Sequence, residues 1–394
     1  MTKLEELIKE LCPNGVEYAT VGKICNISRG IVLSKDFIRE NAGNYPVYSS
    51  QTENNGCLGF VNFYKYDGEY VTWTTDGANA GTIFYRTGKF NITNVCGLLE
   101  IVDSSMLVKF LYYVLSIESM KHVNAGMGNP KLMSNVMASI KIPLPPLAVQ
   151  REIVQILDKF TLLSAELTAE LTARRKQYEF YRDKLLDFNF TMIKVMWKSL
   201  GELGDFYGGL NGKTKSDFKN GNAKLITYKN VYLNSALRLD VEDTVIIEPN
   251  EKQNTLQYGD IIFTGSSETP EECGFSSVVT KETNEKLYLN SFCFFLRLHD
   301  SKILLPEFSK YLFRSNNLRI QICKTASGVT RYNVSKDKMK KVVIPVPPID
   351  VQERIVKVLD NFDAICSDLE MGLPAEIEAR QKQYEFYRDK LLKF

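Results

Sequence analysis

Residues able to do covalent or metal chemistry are few and scattered. The 394-residue chain has two histidines, His122 and His299, and eight cysteines at 12, 25, 57, 96, 273, 293, 323 and 366. No C-x-x-C pair occurs. A metal centre needs His and Cys donors at close spacing, and a nucleophile needs a base beside it, so neither is expected. Thiols spread in this way predict reduced core residues of a cytoplasmic protein. Gly208-Gly209-Leu210-Asn211-Gly212-Lys213-Thr214 ends like a phosphate-binding loop. That motif requires glycine at position 207, which is Tyr207 here. Each Pro-Pro pair is followed by Leu or Ile and opens a helical pattern, unlike the catalytic loop of an adenine methyltransferase.

The chain is richer in side chains that recognise surfaces. Tyr70-Val71-Thr72-Trp73 runs into a small polar loop at 75–81 and then Thr82-Ile83-Phe84-Tyr85-Arg86. Asp260-Ile261-Ile262-Phe263-Thr264 runs into Gly265-Ser266-Ser267-Glu268. Both read as strand, polar loop, strand. Charge is uneven: 49 basic against 47 acidic residues gives only +2, yet 310–341 holds nine basic residues and one acid. A local basic tract beside amide-rich loops suits phosphate contact with base-edge reading, although a solvated helical face would look the same. Candidate DNA-contacting residues are Arg29, Ser50, Gln51, Asp76, Asn79, Arg86 and Lys131 in the first half. In the second they are Lys213, Lys215, Tyr228, Lys229, Asn230, Ser266, Ser267, Glu268, Arg331 and Tyr332.

These loops are carried by a chain written twice. KQYEFYRDKLL occurs at 176–186 and again at 382–392. Pro145-Pro146-Leu147-Ala148-Val149-Gln150 answers Pro347-Pro348-Ile349-Asp350-Val351-Gln352, and Tyr18, Gly22 and Gly30 answer Trp197, Gly201 and Gly209. Between about 31–105 and 210–300 no match is visible. Such a layout suggests two modules with one job and different targets.

Each copy of the shared segment begins on a stiff proline stretch and continues with helical apolar spacing. The first runs Ile153, Ile156, Phe160, Leu163, Leu167, Leu171, Arg174, Tyr178, Tyr181, Leu185, Phe188, a coiled-coil seam with a stutter. The second runs Ile355, Val358, Phe362, Ile365, Leu369, Leu373 onward and carries four extra residues. Gly372 and Pro374 fall in that insertion, which either lengthens the rod by a turn or breaks the helix. The fold expected is α+β: two globular α/β recognition domains joined by two long helices in an antiparallel coiled coil, with a pseudo-two-fold internal repeat. Boundaries follow at 1–142 (first module, with an amphipathic N-terminal helix), 143–190 (helical), 191–344 (second module) and 345–394 (helical). Positions off the seam, Lys176, Glu179, Arg182, Asp183 and Lys184, repeat as Lys382, Glu385, Arg388, Asp389 and Lys390. Two identical outward surfaces suggest two copies of one partner, with recent duplication as the plain alternative. No run of about 18 apolar residues predicts a membrane helix, and the N-terminal segment lacks the apolar core of a secretory signal.

In combination, these features resemble the specificity subunit of type I restriction–modification systems. The carriers are the duplicated blocks ending in Ile142-Pro143-Leu144-Pro145-Pro146-Leu147 and the helices ending in Tyr181-Arg182-Asp183-Lys184-Leu185-Leu186. The stretch Ser164-Ala165-Glu166-Leu167-Thr168-Ala169-Glu170-Leu171 is similar to the central tetrapeptide repeat of the type IC group. The resemblance covers essentially the whole chain. It implies a non-catalytic subunit of a bacterial or archaeal complex, without cofactor or metal of its own. It further implies two partner modification subunits that bind S-adenosylmethionine and methylate adenine N6, and restriction subunits that complete a nuclease. Each recognition domain would read one half of a split double-stranded DNA site, and the helices would set the gap. The rival reading is a two-module adaptor binding proteins or glycans on a coiled-coil scaffold.

Overall fold

A computed structural model describes residues 3–126, 128–189, 194–367 and 371–394. The chain divides into two compact units. One comprises residues up to Thr168 together with Glu376–Phe394, and the other Ala169–Ala375. The boundary expected at 190/191 and the seam residue Leu369 lie outside the described residues. Among the described residues, no helix is long and apolar enough to cross a membrane.

In the first unit a six-stranded sheet runs in the order Cys25–Arg29, Cys96–Ile101, Tyr66–Thr74, Ile83–Ile92, Ala42–Tyr48, Cys57–Val61. In the second, four strands run Gly204–Gly208, Cys293–Leu298, Ile261–Thr264, Ser276–Val278. The first four positions of both sheets correspond, down to register: Thr74 faces Cys96 and Thr264 faces Cys293. The middles that share no visible sequence therefore share a sheet. Only the requirement to supply strands with buried, mostly apolar stretches has been kept, and many apolar combinations meet it.

The glycines that do match between copies have a steric reason. A Cβ on Gly30 would lie 1.9 Å from the Ile92 carbonyl oxygen, and one on Gly209 would lie 2.2 Å from that of Asn290. Both also donate backbone N–H groups to the carbonyl of the cysteine in the register pair, Cys96 or Cys293. Each unit is closed by a two-stranded ribbon, Glu17–Thr20 with Lys141–Leu144 and Met196–Ser199 with Val343–Val346, both antiparallel.

The shared helices follow the ribbons. The first is continuous over Leu147–Leu185. The second is two helices, Ile349–Ser367 and Leu373–Leu391, with Met371 and Gly372 outside both. The four-residue insertion thus interrupts the rod rather than extending it, and Pro374 stands in the first turn of the new helix, where its missing N–H costs nothing. In the first unit Phe160 stacks on Tyr387 with centroids 5.5 Å apart. In the second, Tyr181 stacks on Phe362 at 5.6 Å. Both stackings join the first rod to the second, one within each unit. Each unit so combines the front of one helix copy with the back of the other.

A glutamine at the start of each rod holds the recognition fold to it. Fully buried Gln150 accepts from the Leu107 N–H (2.9 Å) and donates to the carbonyls of Ser105 and Pro145, both 2.7 Å. Gln352 repeats this with Leu305 (2.9 Å), Ile303 (3.0 Å) and Pro347 (2.9 Å). Two turns later the Tyr113 hydroxyl donates to Asp158 (2.7 Å) and that of Tyr311 to Asp360 (2.6 Å). Burial drives both phenol pKa values up, keeping the donated proton in place.

Candidate nucleic-acid interface

The polar loops emerge where the central strand of each sheet ends. In the first unit, Asp76 follows strand Tyr66–Thr74 and pairs by an isolated bridge with Lys131, which in turn bridges Asn124. In the second, Ser266–Ser267 follows strand Ile261–Thr264 and pairs with Tyr332–Val334, which pairs with Ala326–Gly328. The same three-segment platform occurs twice, with different side chains on it.

On the first platform the Asp76 carboxylate lies 3.6 Å from Arg29 Nη2 and 3.9 Å from Lys131 Nζ. One carboxylate facing two partly exposed cations leaves a net positive, donor-rich patch. Asn79 reaches across to the Thr52 hydroxyl at 3.2 Å, which joins this loop to that of Gln51. The Gln51 amide is itself turned inward, to the carbonyls of Cys57 and Glu53. Ser50 is half-buried beside it. Arg86 is not at the surface: it is 2% exposed, its guanidinium lies 3.6 Å from the centre of the Tyr48 ring, and its Nε donates to Thr72. Desolvation lowers its pKa. A side chain so enclosed is a packing element of the sheet and does not reach a groove.

The second platform gathers more of the candidates. Tyr228, Ser266, Ser267, Glu268 and Arg331 line one open cavity of about 360 Å³. Sequence reasoning missed its other walls, Tyr232, Glu272 and Phe292. The strand–loop–strand pattern stopped at Glu268, whereas the loop runs on to Ser276; following it to the next strand would have found Glu272. The Tyr228 hydroxyl donates to the Ser266 carbonyl (2.9 Å), and Arg331 Nε donates to Ser266 Oγ (3.1 Å). Tyr332 is half-buried on the central strand of the platform. Lys229 is exposed on helix Tyr228–Leu233, whereas Asn230 is turned inward, donating to the Arg238 carbonyl and accepting from its N–H. Lys213 and Lys215 belong to a separate arm. Lys213 is consumed by an ion pair with Glu251, whose carboxyl it holds down to about 2. Lys215 is exposed on a short helical turn.

The basic tract 310–341 is less available than its count suggested. Arg314 donates to the carbonyls of Ser276, Val231, Tyr232 and Asn234, and Arg319 to those of Gly274, Glu271 and Cys273. Lys310 pairs with Asp360. Three of the nine cations hold the fold together. Lys324, Arg331, Lys336, Lys338, Lys340 and Lys341 remain exposed.

The repeated rod surface also needs correction. Arg182 and Asp183, expected to face outward, fold back: Arg182 is 16% exposed and bonds Asp183, which caps helix Asn316–Cys323 by accepting from the Asn316 N–H at 3.0 Å. Arg388 likewise turns to Asp389, which stays exposed. Lys382 is engaged by Glu378 one turn away. Lys176, Glu179, Lys184, Glu385 and Lys390 are exposed as expected. Between them stand two aromatics that the seam pattern passed over, Phe180 and Phe386, 61% and 62% exposed.

Comparison with known proteins agrees with this architecture. The model of the type I restriction modification DNA specificity domain matches twice, over residues 13–174 and 192–379. A type I specificity subunit of Mycoplasma pneumoniae is 33% identical over 376 residues, covering 94% of this chain and 96% of its own. The specificity subunit of the Escherichia coli type I enzyme EcoR124I/EcoR124II is 34% identical over 309 residues, covering 74% and 72%. Among solved structures, the type I S subunit from M. genitalium aligns over 97% of both chains with a TM-score of 0.55 at 14% identity. A chain from a study of type I complex assembly aligns with a TM-score of 0.64, also at 14% identity. Nothing in these matches supports the adaptor reading. With two matches that span most of its length and a relative alignable nearly end to end, this chain belongs to the type I restriction–modification DNA specificity family, a family of non-catalytic subunits.

Proposed function

We propose that the two modules, 1–142 and 191–344, each read one half of a bipartite double-stranded DNA site, and that the platforms after Thr74 and Thr264 face the major groove. The observation that carries this reading is the repetition of one platform with unlike side chains: Arg29, Asp76 and Lys131 on one, Ser266, Ser267, Glu268 and Arg331 on the other. A common scaffold with divergent donors and acceptors suits two different base sequences, because each base pair displays its own major-groove pattern. The exposed lysines around them would supply sequence-independent phosphate contacts.

The partners follow from the family and from the rod. One modification subunit docks on each copy of the surface carrying Lys176, Glu179, Phe180 and Lys184, or Glu385, Phe386 and Lys390. S-adenosylmethionine and the methyl transfer to adenine belong to those subunits, and restriction subunits join the same complex in the cytoplasm. The test is to purify the chain with its modification subunits and map adenine methylation in the source cell. A split motif is expected, with binding that falls steeply as salt rises. Methylation of an undivided motif, or salt-insensitive binding, would overturn the reading.

A further inference from the structure

The cavity of the second module holds a guanidinium and two carboxylates that do not neutralise one another. Among the described residues Arg331 makes no ion pair: its Nε–H donates to Ser266 Oγ, and its guanidinium carbon lies 5.5 Å from the centre of the Phe292 ring. Glu272 on the other wall accepts from the Tyr232 hydroxyl (2.8 Å) and from Ser267 Oγ (3.1 Å). These donors hold its carboxyl below the usual range, so it is ionised at neutral pH. An arginine sharing a small cavity with carboxylates ordinarily closes a bidentate pair. Here each charge is pinned to its own wall, leaving a fork of N–H donors facing out on one side and carboxylate lone pairs on the other.

The complement of a donor fork beside an acceptor is a pair of acceptors beside a donor. The major-groove edge of a G·C pair presents that order: guanine N7 and O6, then the cytosine N4 amine. An A·T pair presents acceptor, donor, acceptor and methyl, which would set the adenine amine against the guanidinium and thymine O4 and its methyl against the carboxylate. The rigid support of both side chains matches what a reader requires, since a rotamer locked beforehand loses little freedom on binding.

We propose that Arg331 and Glu272 together read one G·C pair in the half-site of the second module, Arg331 on the guanine and Glu272 on the cytosine amine, with Phe292 and Ser266 positioning Arg331. This rests on the second module being a DNA reader.

The experiment uses the full chain assembled with its modification subunits and a set of duplexes varied one base pair at a time across the second half-site. The wild-type complex should show a G·C requirement at one position. R331A should weaken the cognate duplex by roughly 10- to 100-fold and abolish preference at that position alone. E272Q keeps the shape and an acceptor for Tyr232, and should relax the same position. R331K, which keeps the charge but loses the fork, should fail like R331A and serves if R331A does not assemble. The first half-site should be unaffected throughout. The proposal is overturned if R331A weakens every duplex alike with a shallower salt slope, the mark of a phosphate contact, or if R331A and E272Q relax different positions. It is overturned likewise if the second half-site has no G·C requirement. Absence of any DNA binding by the wild-type complex sinks the underlying reading instead.

Discussion

Gln150 and Gln352 are polar residues in the middle of apolar cores, and each satisfies three backbone groups that have no other solution there. Replacing either by Ala strands buried N–H and C=O groups, so Q150A and Q352A should each cost about 2–4 kcal/mol. Thermal unfolding of the purified complex would show this as a lowered midpoint with an unchanged methylation motif. R86A should behave the same way, reducing stability without relaxing any base position, because the Arg86 guanidinium is enclosed between rings. A relaxed motif in R86A would place that side chain in the reader after all. At this scale the sequence was only half legible. It pointed to Ser266, Ser267, Glu268 and Arg331, which share one cavity, but also to Gln51, Asn230 and Lys213, which turn inward. A polar side chain in a loop declares its donors and acceptors. Whether it offers them to the solvent or to a neighbouring carbonyl depends on backbone geometry that no local pattern encodes.

At the scale of elements the rods were the most legible part, because an apolar seam at 3- and 4-residue steps sustained over about 40 residues fits a long helix and neither a strand nor a loop. The break in the second rod was visible as Gly372 and Pro374 but could not be decided, since an isolated glycine and a proline near a helix start are each tolerated. The sheets were legible only as strand–loop–strand fragments. Their common order had to come from the structure, as strands three to ten residues long carry little information about which neighbour they pair with. The rod suggests a prediction of its own. Thr168–Leu171 lies within the uninterrupted helix Leu147–Leu185, so deleting these four residues removes about one turn, roughly 6 Å, and keeps the seam on its face. Methylome sequencing of that variant should report the same two half-sites with a shorter gap. An unchanged gap would refute the rod as the ruler.

For the molecule as a whole, the near-zero net charge conceals a division of labour: the first rod is neutral over 150–188, the second is acidic over 345–394, and 310–341 carries the excess of cations. Exchanging residues 31–105 for the same region of a relative with another motif should change one half-site and leave the other intact, because the glycine and glutamine contacts that frame each module lie outside the exchanged stretch or bond only its backbone. Loss of both half-sites in such a hybrid would show that the modules are not independent readers.

The first unit is completed by Glu376–Phe394, with Tyr387 stacked on Phe160 and the Tyr18 hydroxyl donating to the Phe394 carbonyl. In time, then, the module made first on the ribosome is the one finished last: its rod contacts wait until the second module has been synthesised. A chain truncated after residue 375 should keep the second unit resistant to protease while leaving the first one open, an inversion of the usual order in which domains become safe.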